Sequence, residues 1–127
     1  MIVLDASAAL SGLVNAGPAR ESLAGEQLHA PHLIDSEVAS GLRRQVASGS
    51  FSAATGWRAL DTWRRLGLTR YATRGLLERV WELRNNLSAY DAGYVALAES
   101  LGCALVTADA RISRAPGLRC SVTVVPR

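Results

Sequence analysis

Short apolar runs alternate with longer segments of helical periodicity, and this alternation constrains the fold more than any other feature of the chain. The runs predicted as strands are Met1–Leu4, Leu28–Ala30, Cys103–Thr107 and Ser121–Val125. No repeat, low-complexity tract or linker interrupts the 127 residues. Because strands that alternate with helices are typical of parallel sheets, the pattern predicts a single α/β domain over residues 1–127 with a mainly parallel central sheet.

The segments between the strands are predicted as helices. They are Ser7–Asn15, Gly17 to about Leu23, Pro31 to about Ser48, Ser52–Leu66, Arg74–Arg84, Ser88–Leu101 and a short turn near Ala110. Pro31 suits the first position of a helix, where its missing N–H is not needed. The helix that starts there and the next one are expected to form a helical hairpin.

Four carboxylates, Asp5, Glu37, Asp91 and Asp109, fall where the pattern predicts burial or the end of a buried strand. No basic residue close in sequence is expected to neutralise them, and a buried carboxylate without a cation must bind a metal or stay protonated. In an open parallel sheet the carboxyl ends of neighbouring strands form the ligand crevice. Because Mg²⁺ prefers carboxylate and water oxygens, the four acids predict a metal pocket for phosphoryl chemistry.

Helical phase separates two neighbouring acids on the third predicted helix. Glu37 shares a face with Ile34, Val38 and Gly41. Asp35 points about 200° away from Glu37 on the same helix. We therefore expect Glu37 in the pocket and Asp35 as a solvated charge that is favourable to the helix dipole.

Asp91 begins a helix that is apolar nearly all round, so it is either a pocket acid or a carboxylate that only favours the helix start.

Two hydroxyls extend the pattern, because Ser7 lies two residues after Asp5 and Thr107 lies two residues before Asp109. Hydroxyls at these places could orient metal-bound water. Equally, Ser7 could cap the first helix and Thr107 could pack as a β-branched strand residue.

All 14 cationic side chains are arginine, because the chain contains no lysine. This excludes a Schiff base and a phosphate-binding Walker lysine. The net charge is +3, and setting aside the four candidate acids leaves 14 cations against 7 of the 11 acids. That excess suits a polyanion such as nucleic acid, although arginines that merely solvate the helices would give the same count.

Aromatic and basic side chains offer further candidate contacts. Trp57, Leu60 and Trp63 repeat every third residue along one predicted helix. Such a stripe could stack on bases, but a core or an interface is the expectation. Arg84 and Arg111 each lie within a few residues of a segment that ends at the pocket, and they are the candidate RNA-binding residues.

The remaining metal-ligating residue types give weaker patterns. His29 and His32 flank Pro31, but two histidines leave a coordination sphere incomplete, so ordinary loop histidines are expected. Cys103 and Cys120 lack the close spacing of a metal or redox pair and are expected as buried thiols.

No apolar segment approaches the roughly 20 residues that a membrane helix needs, and a cytoplasmic protein is therefore expected.

Four segments in order carry a resemblance to a known family. They are Met1–Ala8 (MIVLDASA), Ser36–Val38 (SEV), Ser88–Glu99 (SAYDAGYVALAE) and Leu105–Arg111 (LVTADAR). Together they resemble the PIN-domain ribonucleases, and more narrowly the VapC toxins of bacterial toxin–antitoxin pairs, over essentially the whole chain. The resemblance implies a PIN-like three-layer α/β/α sandwich and a Mg²⁺-dependent endoribonuclease, with Mn²⁺ as an alternative ion. It also implies a homodimer restrained by a cognate VapB-type antitoxin.

The resemblance also implies roles for individual residues. Carried over by position, the acidic quartet falls on Asp5, Glu37, Asp91 and Asp109, with Thr107 and Ser7 in supporting places. The implied reaction is in-line hydrolysis of an RNA phosphodiester bond with one or two metal ions. A haloacid-dehalogenase phosphatase or a receiver domain fits less well, because each needs a lysine. The alternative function is a non-catalytic PIN-like module that binds RNA or acts as a scaffold.

Overall fold

The computed structural model describes all residues from Met1 to Arg127. Its strands are β1 (Ile2–Leu4), β2 (Leu28–Pro31), β3 (Leu68–Tyr71), β4 (Ala104–Thr107) and β5 (Val122–Val124). Its helices are α1 (Ala6–Val14), α2 (Pro18–Gly25), α3 (Ile34–Ala47), α4 (Ala53–Arg65), α5 (Leu77–Glu82), α6 (Ala89–Leu101) and α7 (Ala110–Ser113). A short 3₁₀ helix, Arg74–Leu76, precedes α5, so the predicted helix at Arg74–Arg84 is divided and shorter.

The five strands form one sheet in the order β3-β2-β1-β4-β5, and every pair is parallel. The chain builds outward from β1 to β3 and then returns to the other side of β1 with β4. Strand order therefore reverses between β1 and β4, and such a switch point opens a crevice at the carboxyl ends of the two strands. The predicted α/β class with a parallel central sheet is confirmed.

The helices bury the sheet in one hydrophobic core of 26 residues. Helix α6 packs against β1, β2 and β4, and its residues from Ala92 to Ala98 are all buried, as its apolar composition predicts. Helix α1 packs against α2 and α3, and α3 packs against α4 in the predicted hairpin. The carboxyl end of β1 is thus enclosed by α1, α3 and α6.

The prediction that Pro31 opens a helix is wrong, because Pro31 is the last residue of β2 and α3 begins at Ile34. Pro31 is in register with Tyr71 of β3, whereas the pairing of β2 with β1 ends at His29. The missing N–H of proline is therefore not needed on the β1 side.

The sequence pattern also gives no strand at β3. This strand lies at the edge of the sheet and its residues are mostly half-exposed, so it lacks the apolar run that marks the inner strands. Its position depends on pairing with β2 and not on its own composition.

The aromatic stripe on α4 divides between core and surface. Trp63 is 1% exposed and Trp57 is 54% exposed. A spacing of three residues drifts around a helix, and over six residues the two rings end about 120° apart. The expectation of a core position is confirmed for Trp63, whereas Trp57 carries the Arg64 guanidinium 5.3 Å from its ring centroid.

The other expectations concern single side chains and the membrane. Cys103 and Cys120 are free thiols, and both are half-buried rather than fully buried. Nδ1 of His29 lies 2.7 Å from Oη of Tyr71 in a hydrogen bond, and His32 is exposed. No helix combines the length and the apolar character required to cross a membrane.

Candidate active site

Asp5 lies at the carboxyl end of β1, where its side chain caps α1 by accepting the N–H of Ala8 at 2.9 Å. The same oxygen, Oδ1, accepts a 2.7 Å hydrogen bond from Ser7 Oγ. Its other oxygen, Oδ2, accepts a 2.5 Å hydrogen bond from Thr107 Oγ1. Asp5 is only 4% exposed, so residues of two adjacent strand ends fix both of its oxygens. Asp5, and not Ser7, is the capping residue of α1.

Ser7 and Thr107 hold the ends of β1 and β4 together. Their hydroxyl oxygens lie 3.2 Å apart. Ser7 Oγ accepts the N–H of Ala108 at 2.9 Å, and Thr107 Oγ1 accepts the N–H of Asp109 at 3.0 Å. Thr107 is fully buried. The two hydroxyls therefore orient the acids directly, which is more than a packing role.

Asp109 caps the short helix α7 and forms an ion pair with Arg111. Arg111 Nη2 donates to Oδ2 at 2.8 Å, and its Nε donates to Oδ1 at 3.1 Å. The expectation that no nearby basic residue neutralises the acids is therefore wrong for Asp109. Because the turn after β4 folds Arg111 back over Asp109, a spacing of two residues is enough for a bidentate contact.

Glu37 and Asp91 reach the same place from two helices. Glu37 lies in the first turns of α3, and its Oε1 accepts a 2.9 Å hydrogen bond from Tyr94 Oη. Asp91 lies in the first turn of α6, one turn before Tyr94, and Ser88 caps that helix. Tyr94 thus links the helix that carries Glu37 to the helix that carries Asp91.

Asp35 is turned away from the cleft, as helical phase predicts. Its Oδ1 accepts from Trp63 Nε1 at 2.8 Å and from Arg70 Nη2 at 2.9 Å, and its Oδ2 accepts from Arg70 Nε at 2.6 Å. The expectation of a solvated charge that favours the helix dipole is incomplete: Asp35 lies in the first turn of α3 and its side chain is 44% exposed, but it also joins α3 to α4 and β3. Arg70 holds the pKa of Asp35 below its ordinary value.

The four acids line one cleft of about 770 Å³ at the crevice between β1 and β4. Its lining residues are Asp5, Ala6, Ser7, Leu10, Ser11, Val14, Asn15, Glu37, Ser40, Gly41, Arg44, Gln45, Ser48, Asp91, Tyr94, Asp109, Arg111 and Arg127. Thr107 lies directly behind Asp5. Arg84 is outside the cleft, where its guanidinium stacks over the Trp81 ring at 4.7 Å from the centroid.

The electrostatics of the acids differ in direction. Burial raises the pKa of Asp5 despite three hydrogen bonds to its carboxylate. Burial, together with the charge of Asp5, also raises the pKa of Asp91. Burial raises the pKa of Glu37, to which the charges of Asp91 and Asp5 contribute. The ion pair with Arg111 lowers the pKa of Asp109. Three of the four acids are thus unfavourable as anions unless a cation joins them.

The acids do not form a preformed cage, since no three His, Cys, Asp or Glu side chains are close enough together to hold one ion. The donor set nevertheless fits a hard cation, because it offers only carboxylate oxygens, and burial destabilises three of the four carboxylates as anions. Mg²⁺ usually keeps several of its waters and binds through one or two carboxylates plus substrate phosphates. A cage of three direct side-chain ligands is therefore not required for this ion.

Some residues of the cleft are absent from the sequence-based predictions. Tyr94 lies one helical turn after Asp91, and Ser40, Arg44 and Ser48 lie one, two and three turns after Glu37. Continuing the helical period from each acid would have placed these residues on the same face. The apolar stripe of α6 concealed Tyr94, because its hydroxyl serves the site while its ring is part of the core.

Comparisons with known proteins give a consistent picture. The family model described as PIN domain matches residues 2–118. Ribonuclease VapC9 of Mycobacterium tuberculosis (strain ATCC 25618 / H37Rv) is 63% identical over 127 residues, which is 100% of both chains. Ribonuclease VapC1 of the same strain is 41% identical over 128 residues, covering 97% of this chain and 96% of that protein.

Two solved structures share the fold. PAE2754 from Pyrobaculum aerophilum superposes with a TM-score of 0.71 over 95% of this chain and 81% of that chain, at 24% identity. VapBC2 from Rickettsia felis, which was solved bound to a DNA fragment from its promoter, gives a TM-score of 0.67 over 97% of this chain and 98% of that chain, at 16% identity. At these identities the similarity concerns the fold alone, and it agrees with the PIN-like arrangement expected from the sequence.

Proposed function

The chain belongs to the PIN-domain family and, within it, to the VapC ribonucleases, and on that premise we propose that it is a metal-dependent endoribonuclease toxin that hydrolyses RNA phosphodiester bonds. The observation that carries the proposal is the meeting of Asp5, Glu37, Asp91 and Asp109 in one cleft at the switch point of the sheet. A divalent cation bound there would polarise a phosphoryl oxygen and lower the pKa of an attacking water.

The chain's own residues supply binding and orientation. Asp5, Asp91, Asp109 and Glu37 are the proposed ligands of Mg²⁺, with Mn²⁺ as an alternative. Ser7 and Thr107 fix the Asp5 carboxylate, and Tyr94 fixes that of Glu37. These hydrogen bonds preset the oxygens, so little reorganisation is needed when substrate binds.

Arg111 is the proposed phosphate contact at the acidic end of the cleft. Its side chain is 81% exposed and already lies at the mouth beside Asp109. A guanidinium can contact a carboxylate and a phosphate through different N–H groups, so this position suits the scissile phosphate or its neighbour. Arg84 remains a prediction for a more distant contact, since it is exposed but outside the cleft.

The proposal extends to partners and location. Large apolar side chains, among them Trp57, Leu77, Trp81 and Tyr90, are more than half exposed and leave surface for association. We propose a homodimer and a cognate VapB-type antitoxin as their partners, with action in the cytoplasm. Sedimentation of the purified chain should give twice the monomer mass of 13.5 kDa.

Cleavage of bulk RNA by purified protein tests the activity. We expect cleavage with Mg²⁺ or Mn²⁺, none in EDTA, and a loss of at least about 100-fold in Asp5→Asn, which exceeds the usual effect of losing an outer-shell partner. Cleavage that persists in EDTA would contradict the metal requirement. RNA that the wild type binds but does not cut with either ion would favour the non-catalytic RNA-binding or scaffolding module.

A further inference from the structure

One wall of the cleft is a single face of α3. Its lining residues are Glu37, Ser40, Gly41, Arg44 and Gln45 on this helix and Ser48 at its C-cap, and they recur at spacings of three or four residues. At a rise of 1.5 Å per residue, Arg44 lies about 10 Å along the helix from Glu37. The cleft therefore continues well past the acids, and we call the part lined by Ser40–Ser48 and α1 the α3 arm.

Gly41 determines the floor of the α3 arm. A Cβ at this position would collide with the Leu10 side chain of α1, so glycine permits the two helices to approach closely. Leu10 and Val14 line the cleft on the α1 side, and Asn15 lies at the end of that helix. The arm is thus a groove with an apolar floor and polar walls.

Arg44 gives the α3 arm a cation without a counter-ion. It makes no ion pair, and its one side-chain hydrogen bond runs from Nη1 to Ser40 Oγ at 3.1 Å. By contrast, Arg111, which lines the acidic end of the same cleft, pairs with Asp109. The remaining N–H groups of Arg44 are free to donate, and the guanidinium fork matches the geometry of a phosphate.

Gln45 adds an acceptor without a donor. Its Oε1 is inaccessible to solvent and has no hydrogen-bond partner, and it is the one buried side-chain nitrogen or oxygen atom of the chain in that state. An unmade hydrogen bond to a buried oxygen costs free energy. Gln45 lines the cleft, and because the terminal torsion of glutamine is broad and roughly two-fold, a half-turn of the amide exchanges Oε1 with Nε2. Oε1 can then face the cleft and accept a hydrogen bond from a ligand.

We propose that the α3 arm binds the RNA strand beside the cleaved bond, with Arg44 on a neighbouring phosphate and Gln45 accepting a hydrogen bond from a ribose 2′-hydroxyl. The identity of the polymer rests on the proposed function. The 2′-hydroxyl is a donor that RNA has and DNA lacks, so Gln45 would discriminate between them. A peptide is less favoured as the occupant, since only a few of the residues that line the cleft are hydrophobic.

Equilibrium binding in EDTA tests the role of Arg44 without metal-dependent cleavage. The probe is a short fluorescein-labelled single-stranded RNA of mixed sequence, titrated at several salt concentrations. In Arg44→Ala the affinity should fall about 10-fold, and the slope of log K against log salt should become shallower by about 0.7, as for one lost phosphate contact. Arg43→Ala is the matched control, because Arg43 is exposed on α3 but does not line the cleft. Equal effects of the two variants would overturn the assignment of Arg44.

The same titration with a DNA strand of matching sequence tests Gln45. Gln45→Met keeps the side-chain length and removes the amide, so the ratio of RNA affinity to DNA affinity should fall several-fold towards one while DNA binding is unchanged. The thermal unfolding midpoint of Gln45→Met should not fall below that of the wild type, because the substitution removes a buried oxygen that has no hydrogen-bond partner. An unchanged ratio in a folded variant would refute the 2′-hydroxyl contact.

Two further outcomes separate this proposal from neighbouring ones. If the protein cuts no RNA but binds RNA in a way that depends on Arg44, the proposed enzymatic activity is refuted and the proposed subsite is supported. If both variants weaken binding of an antitoxin peptide and leave RNA binding intact, the α3 arm is a protein-docking groove and the subsite is refuted.

Discussion

Thr107 Oγ1 donates a 2.5 Å hydrogen bond to Oδ2 of Asp5 and thereby joins the carboxyl ends of β4 and β1. The same hydroxyl accepts the N–H of Asp109 at 3.0 Å. A single fully buried side chain thus sets the orientation of two of the four acids in the cleft. Thr107 contacts the acids and not the cleft itself, so it is a positioning residue.

Thr107→Val should therefore lower RNA cleavage by about 10- to 100-fold, because it removes an outer-shell partner of a proposed metal ligand at nearly constant volume. The Mg²⁺ concentration needed for half-maximal rate should rise, whereas a merely structural role would leave it unchanged. Thr107→Ser should restore most of the activity. The measurement is the initial cleavage rate across a Mg²⁺ titration, and a valine variant with the wild-type Mg²⁺ requirement would contradict the positioning role.

Glu37→Gln and Asp35→Asn should separate chemistry from stability. The amide introduced by Glu37→Gln would keep an acceptor for Tyr94 Oη but lose the negative charge, so activity should fall at least about 100-fold with the fold intact. Asp35→Asn should retain activity and lose about 1 kcal/mol of stability, because charge-assisted hydrogen bonds with half-exposed Arg70 weaken. Cleavage assays and denaturant melts on both variants measure this, and equal losses of activity would show that the acids share a role.

The pH dependence of stability should have opposite signs at two acids. Asp91 has a raised pKa, so its charge is a penalty in the folded metal-free protein at neutral pH, and that penalty vanishes as the pH falls below about 4. Asp35 has a lowered pKa, so its contribution is favourable above about 4 and is lost in acid.

Thermal melts in EDTA between about pH 3 and 8 measure this difference. Near pH 7 we expect Asp91→Asn to melt above the wild type and Asp35→Asn to melt below it. Both differences should shrink towards zero in acid. If Asp91→Asn melts below the wild type near neutral pH, the charge of Asp91 carries no net penalty from burial and from Asp5 in the folded state.

Antitoxin binding should compete with Mg²⁺. A metal-free acid cluster has a negative potential, and the simplest macromolecular plug is an arginine or lysine side chain that a bound antitoxin inserts. By linkage, a side chain that occupies the metal position and Mg²⁺ must weaken each other's binding. Antitoxin affinity should therefore fall as Mg²⁺ rises at constant ionic strength, and the effect should be smaller in Asp91→Asn. An affinity that does not change with Mg²⁺ would place inhibition outside the cleft, for example on the Trp57 face of α4.

The acids that terminate strands are the part of the site that sequence predicts most directly. Asp5 and Asp109 follow apolar runs, and parallel strands bring their carboxyl ends together. Glu37 required helical phase as well, and the same phase turned Asp35 away, whereas Asp91 was a candidate because it begins a helix that is apolar nearly all round. These placements follow from local periodicity, which is why they could be made without knowledge of the tertiary contacts.

The contacts between elements could not be predicted in this way. The Tyr94–Glu37 hydrogen bond depends on how α6 crosses α3, and the Asp35–Arg70 ion pair depends on an edge strand that has no apolar run of its own. The Arg111–Asp109 pair was missed because it forms across a turn whose geometry is set by the cap of α7. Local periodicity indicates which face a residue occupies, but not which partner meets it there.

The cap that Asp5 provides for α1 affects how this protein can lose activity. Asparagine caps helices as well as aspartate does, so Asp5→Asn keeps the start of α1 while removing the charge. An aspartate codon becomes an asparagine codon by a single nucleotide change. A descendant that is folded but lacks a proposed metal-ligand charge is therefore one mutational step away.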